Sequence, residues 1–289
     1  MLGHLPLLKN LNLSGLTNVR SMGLSFYDAS DCSSSSRNDG QETRLSFPSL
    51  KSLIIEEIPN LTEWAEAQTS GVQVFPCLEY LKIKNCHKLK TAPNHFPCLK
   101  ELYIYDMDSD LPFSNIISTS NLTSLVQLSI LCISELTCLV DDLFYENQNL
   151  EYLDFHMCTN LAYIPHLRGC GASLKWLWIT GCDELRELPD DLGSLKSLET
   201  LLISSCENLQ LSPYPSGQKG FSSLRNLKIC YCDKLSNLPS EMLESCTSLQ
   251  KLEVYNCENL TSFPELSGMV WLNSLRELVI GGFSNPDTL

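Results

Sequence analysis

The chain has 289 residues, 34 Asp and Glu against 20 Lys and Arg, a net charge of −14, and 43% hydrophobic residues. The deficit of cations argues against a nucleic-acid partner, whose phosphates demand an excess of Lys and Arg, and the ordinary apolar fraction argues against global disorder. No run of about 18 apolar residues is present, so no membrane insertion is expected, and MLGHLPLLKNLNLSG has no basic segment ahead of an apolar run, so no secretory leader is expected.

From the N-terminus onward one phrase recurs, L-x-x-L-x-L-x-x-C-x-x-L. Copies begin at Leu8, Leu50, Leu78, Leu99, Leu125, Leu150, Leu174, Leu198, Leu224, Leu249 and Leu275. Eight of the ten intervals are 21 to 26 residues long, inside the ~20–29 range of leucine-rich repeats. The x-L-x-L-x core alternates with period two, so each copy predicts one short strand with one buried face. A single copy cannot bury that face; stacked copies share a continuous core. The expected fold is therefore an α/β-type repeat solenoid over 1–289, a leucine-rich-repeat horseshoe. Its concave parallel sheet would have about eleven short strands and be on the order of 50 Å long.

The first long interval, 21–47, is rich in Ser, Asp and Gly and reads as a flexible insertion loop. Residues 64–74 read as a less regular return limb containing Trp64. Further on, the return limbs end in Leu161–Pro165, Leu185–Pro189, Leu235–Pro239 and Leu260–Pro264. Pro lacks an N–H and fixes φ, so it suits an irregular, mostly non-helical convex limb. The first repeat starts at Leu8 and the last strand ends close to the C-terminus, with no polar capping repeat at either end, which reads as a fragment of a longer chain, a truncated gene product or a protein that docks on something else.

The ninth position of the phrase is where the chain leaves the sheet, and a small residue that tolerates burial is wanted there. Cys86, Cys158, Cys182, Cys206, Cys232 and Cys257 occupy it in six copies, as a core ladder of free thiols. Leu16, Ile58, Met107, Ile133 and Phe283 occupy the rest. Cys77 and Cys98, both in FPCL, are expected at the edge of the same core. Fourteen cysteines make about 5% of the chain, below a disulfide scaffold, and without a leader the expected compartment is reducing.

Positions two, three, five, seven and eight should display on the concave face. They hold eight of the fourteen Tyr and Trp residues: Tyr80, Tyr103, Tyr105, Tyr152, Trp176, Trp178, Tyr231 and Tyr255. Tyr and Trp are the common anchors of protein interfaces, although strand propensity and cross-strand packing also favour them. The same positions carry ten basic residues, among them Lys82, Lys84, Arg225 and Lys228, and ten acidic ones, so the −14 lies on limbs and loops. A mixed, aromatic concave face suits a protein partner.

No phosphate loop, dinucleotide fingerprint, G-x-S-x-G or H-E-x-x-H occurs, and the five histidines make no i,i+4 pair. No enzyme activity, cofactor or metal site is expected. Cys230 and Cys232 form a C-x-C whose members should face opposite sides of the sheet, a poor arrangement for one metal. Cys230 and Cys132 are expected as exposed-face thiols. N-x-[ST] at Asn12, Asn60, Asn121 and Asn259 is largely generated by N-L-T phrases of the repeat.

The limbs CDELRELP, CDKLSNLP and CENLTSFP resemble the C-terminal repeats of plant intracellular nucleotide-binding leucine-rich-repeat disease resistance proteins. The run LGHLPLLKNLNLSGLTNVRSMGLSFYD, FPSLKSLIIEEIPNLTEW, FPCLEYLKIKNCHKLKTAPNHFPCLKELYI is similar to their coiled-coil class. The resemblance implies recognition of a pathogen effector or guarded host protein and restraint of a nucleotide-binding domain of the same receptor. It also implies a cytoplasmic or nucleocytoplasmic location. The coiled-coil and nucleotide-binding modules are not in this sequence, so nucleotide binding and signalling are not assigned to it. Two other functions fit the repeats alone: the substrate receptor of an F-box type ubiquitin ligase, and a stand-alone repeat scaffold or inhibitor.

Overall fold

The computed structural model describes residues 2–27, 44–66, 72–118, 122–145, 147–211, 221–261 and 273–283. The chain divides into two compact units, Met1–Leu125 and Val126–Leu289. The first contains four repeat strands: β1 (Asn10–Ser14), β2 (Ser52–Glu56), β3 (Tyr80–Lys84) and β4 (Glu101–Met107). Each pairs in parallel with the next.

The second unit contains seven. These are β5 (Gln127–Ile133), β6 (Tyr152–His156), β7 (Trp176–Thr180), β8 (Thr200–Ser204), β9 (Asn226–Cys230), β10 (Lys251–Tyr255) and β11 (Glu277–Gly281). They too pair in parallel with their neighbours in order. The strand count and the parallel repeat stack are those the phrase predicts.

Register follows from the phrase. Leu53 lies opposite Leu81 and Leu81 opposite Leu102. In the second unit Leu153, Leu177, Leu201, Leu227 and Leu252 stand in line. A shift by one residue would turn this whole leucine row to solvent, so burial fixes the pairing. All these leucines are buried, each contributing roughly 1.5–3 kcal/mol. The opposite side of each strand is open.

Position eight behaves in a way the phrase does not announce. All eleven residues there, from Gly15 through Glu57, Asn85, Asp106, Cys132, Met157, Gly181, Ser205, Tyr231 and Asn256 to Gly282, have φ between 51° and 69°. At eight of the eleven the left-handed turn aims the position-eight N–H at the position-seven carbonyl of the next strand. Examples are Glu57 to Lys84 at 3.0 Å and Met157 to Thr180 at 2.7 Å. That bond offsets the roughly 1–2 kcal/mol that a non-glycine residue costs in this region.

The interiors differ in filling. In the first unit Phe47 stacks on Phe75 at 5.2 Å, Phe75 on Phe96 at 5.9 Å, and Trp64 meets Phe75 edge-on at 6.0 Å. These are the phenylalanines of the FP phrases. Cys77 and Cys98, expected at the core edge, are exposed instead, because the ring two residues earlier takes the interior place. In the second unit the corresponding place varies: Phe221, Leu195 and Cys246 are buried there, as is Asn147, whose Oδ1 accepts the N–H of Leu150 at 3.0 Å.

The return limbs are mostly irregular, as expected, with additions. Helices cover Leu24–Tyr27, Leu111–Ser118 and Ser240–Ser245. Pro239 does not end the regular structure of its limb; it stands at the N-cap of Ser240–Ser245, where its missing N–H costs nothing. In the first unit Ser21–Met22 pairs with Glu63–Trp64, and Arg44–Ser46 with Val72–Val74. The two flanks of the 21–47 loop are thus paired, and Tyr27 and Phe47 are buried. Its centre, 28–43, lies outside the described residues.

Candidate functional site

The period-two core places positions three, five and seven of each repeat on the open side of the strands. In the first unit this brings Tyr80 and Tyr103 together at 5.2 Å between ring centroids, and Tyr103 and Tyr105 at 5.9 Å. The Tyr103 hydroxyl donates to Glu101 Oε2 at 3.0 Å; partial burial and the Glu101 carboxylate together raise its pKa. Several of the charges around them are paired. Glu79 accepts from Lys100 and Lys51, each at 2.8 Å, and the two ammonium groups, Lys100 first, hold its carboxyl at about 2. Lys82 pairs with Glu56 at 3.1 Å. Lys84 has no ion-pair partner among the described residues.

The second unit has two clusters. In one, Tyr152 on β6 meets Trp178 on β7 edge-on at 5.2 Å, and the register sets Tyr152 opposite Trp176. Lys175 lies over the Trp176 ring at 5.9 Å and pairs with Glu151 at 2.9 Å. In the other, Tyr231 meets Tyr255 edge-on at 5.7 Å. Lys228 lies over the Tyr255 ring at 5.3 Å and pairs with Glu253 at 3.3 Å. The Tyr255 hydroxyl, then Glu253, raises the Lys228 pKa. Between the clusters, β8 (TLLIS) contributes no aromatic residue. Arg225 is exposed beside a polar groove of about 410 Å³ lined also by Lys175, Glu199 and Gln250.

Two residues stand differently from expectation. Cys230 does face the open side, but it is 1% exposed. Its rung partners are Ser204 and Tyr255, and its thiol donates to Ser204 Oγ at 3.3 Å, so a small side chain sinks between larger neighbours. Cys132 is partly covered. Asp154, at position five of β6, was not singled out as a site residue and is only 9% exposed. Burial pushes its carboxyl above the ordinary value, against the weaker opposing pulls of His156 and the Tyr152 hydroxyl. Its signal in the sequence is the absence of any Lys or Arg at positions three, five and seven of its own and both flanking repeats.

The six ladder thiols are buried and free. Each lies near the position-seven carbonyl of its own repeat, from Cys86 to Lys84 O at 3.4 Å to Cys257 with Tyr255 O at 3.6 Å. Burial pushes Cys158 up to about 12, and the neighbouring Cys206 thiol does the same for Cys232, again to about 12. Such thiols are poor nucleophiles at neutral pH. Among the described residues no group of three His, Cys, Asp or Glu side chains is placed to hold a metal ion, and no helix is long and apolar enough to cross a membrane.

In-phase parallel strands, buried leucine rows and a 21–26-residue period define the leucine-rich-repeat class. Residues 211–277 match the family of plant disease resistance protein RPS2-like leucine-rich repeats. A putative disease resistance RPP13-like protein 1 of Arabidopsis thaliana is 32% identical over 176 residues, 59% of this chain and 16% of that protein. The chain has the leucine-rich-repeat fold, it is similar over these stretches to plant disease resistance proteins, and it spans about 16% of the length of that relative. Among solved structures, the TLR13–ssRNA13 complex shares 17% identity at TM-score 0.43, covering 100% of this chain and 48% of that one. An internalin from Listeria monocytogenes shares 12% at TM-score 0.40, covering 97% and 82%.

Proposed function

We propose that this chain is the recognition region of a plant immune receptor, binding a pathogen effector or a guarded host protein through the open face of its strands. The observation that carries this is the gathering of half-exposed Tyr and Trp side chains on that face, in clusters with ring centroids 5.2 to 5.9 Å apart. Rigid aromatic groups held by a sheet lose little entropy on binding and supply most of an interface's energy. By the same logic the repeats would restrain the nucleotide-binding module of the full receptor in the cytoplasm, and a ligand that prefers the released state would shift that balance. The role is recognition, not catalysis.

The test is affinity capture of candidate effectors and guarded proteins by this chain and by its Tyr152→Ala, Trp176→Ala, Trp178→Ala triple variant. Binding is expected to vanish in the variant while its thermal unfolding transition stays cooperative. Undiminished affinity there overturns the assignment.

A further inference from the structure

The open-face carboxylates are not alike. Glu56, Glu79, Glu151 and Glu253 each hold a lysine within 3.3 Å. Asp154 holds none among the described residues, although it is the most deeply covered of the five. The positions facing it are Gln127, Ser129 and Leu131 on β5, Tyr152 and His156 on its own strand, and Trp176, Trp178 and Thr180 on β7. His156, whose pull on the carboxyl is secondary to burial, is the one ionisable nitrogen in that set. Ser129 is itself buried, and the Tyr152 hydroxyl stands 3.5 Å from Asp154 Oδ2. A carboxylate taken out of water without a cation is costly to keep. Directly across the rung stands Trp178, 36% exposed, its ring set edge-to-face with Tyr152. An aromatic pair beside an uncompensated carboxylate is the chemistry that captures an organic cation, through the ring quadrupole and the charge together.

Resting on the recognition role proposed above, we infer that Tyr152, Trp178 and Asp154 form a socket for a cationic side chain, Arg or Lys, of the protein partner. The guanidinium or ammonium group would complete the charge that Glu79 and Glu253 already have completed within the chain.

The probe is N-acetyl-arginine amide, titrated into the full chain with the Trp178 indole followed by NMR, against N-acetyl-citrulline amide, its neutral isostere. The arginine amide is expected to give a saturable shift with affinity at least about tenfold above the citrulline amide. Asp154→Asn should erase that discrimination, and Glu79→Gln should leave it intact. Equal responses to the two amides, no saturable response, or discrimination surviving in Asp154→Asn would each overturn the socket. The two ideas fail separately. A partner that binds Asp154→Asn at full affinity but not the aromatic triple variant leaves recognition standing and removes the cation. A partner that binds the triple variant removes both.

Discussion

The two units solve one repeat problem with different materials. Met1–Leu125 fills its interior with stacked rings, Phe47, Phe75 and Phe96, and has a single cysteine, Cys86, at position nine. Val126–Leu289 places Cys158, Cys182, Cys206, Cys232 and Cys257 there, each buried. The open faces differ as well. In the first unit the open-face carboxylates Glu56 and Glu79 are paired, with Glu79 gripped by two lysines. In the second, Asp154 is buried beside Tyr152 and Trp178 with its charge uncompensated. A face whose charges are already paired has less to gain from a partner than one that holds a desolvated charge, so the difference points to the second unit as the place where a cation would be read.

The comparison can be broken where its materials carry most energy. Phe75→Ala removes the ring on which Phe47, Phe96 and Trp64 converge and should cost about 3–5 kcal/mol in chemical denaturation. A loss under about 1 kcal/mol would mean the stack is dispensable. In the second unit Cys182→Ser puts a hydroxyl in place of a buried thiol and should cost about 1–3 kcal/mol. Its counterpart needs no mutation: maleimide should label exposed Cys77, Cys98 and Cys138 in the native protein, and the buried ladder thiols only as it unfolds. Rapid native labelling of Cys182 would contradict its burial.

Asp154 offers a sharper contrast. Its folded pKa is raised by burial, so the charged form is penalised above that pKa, and stability grows as pH falls from the folded toward the unfolded value. Asp154→Asn should therefore raise stability at neutral pH by about 1 kcal/mol and flatten that part of the pH profile. Glu79, whose pKa is lowered to about 2 by Lys100 and Lys51, has the opposite sign: its contribution is present above the unfolded value and is lost as pH falls toward 2. The smallest effects lie at position eight. Gly181 has φ +64°, and an added Cβ would come within 2.7 Å of the Met157 sulfur, so Gly181→Ala should cost about 1 kcal/mol. Ser205→Gly, at φ 54°, should gain less than about 1 kcal/mol. Equal unfolding midpoints for both variants and wild type would show that the strand-exit bond, not conformational preference, sets the turn.

Much of the fold was legible because the leucine row repeats in one register, and period-two burial admits one pairing. Part of the site was legible too, since alternation alone assigns Tyr80, Tyr103, Tyr152, Trp176 and Trp178 to the open side. How deep a residue sits on that side was not. Cys230 and Asp154 occupy nominally exposed positions yet are covered, because depth depends on the side chains one rung away: Ser204 and Tyr255 for one, Ser129 and Trp178 for the other. The position-eight turn was hidden for a related reason. Glu57, Met157 and Tyr231 share no preference for positive φ, and the neighbouring strand's carbonyl imposes it.

The sequence by itself determined the repeat, its strand register and the side of the sheet each residue faces, because these follow from local alternation and from the need to bury leucine. Only the tertiary structure decided which open-face charges are paired within the chain and which are not. Pairing and desolvation depend on neighbours about 24 to 28 residues away along the chain, such as Lys51 and Glu79 or Lys175 and Glu151, and those meet only when the repeats stack.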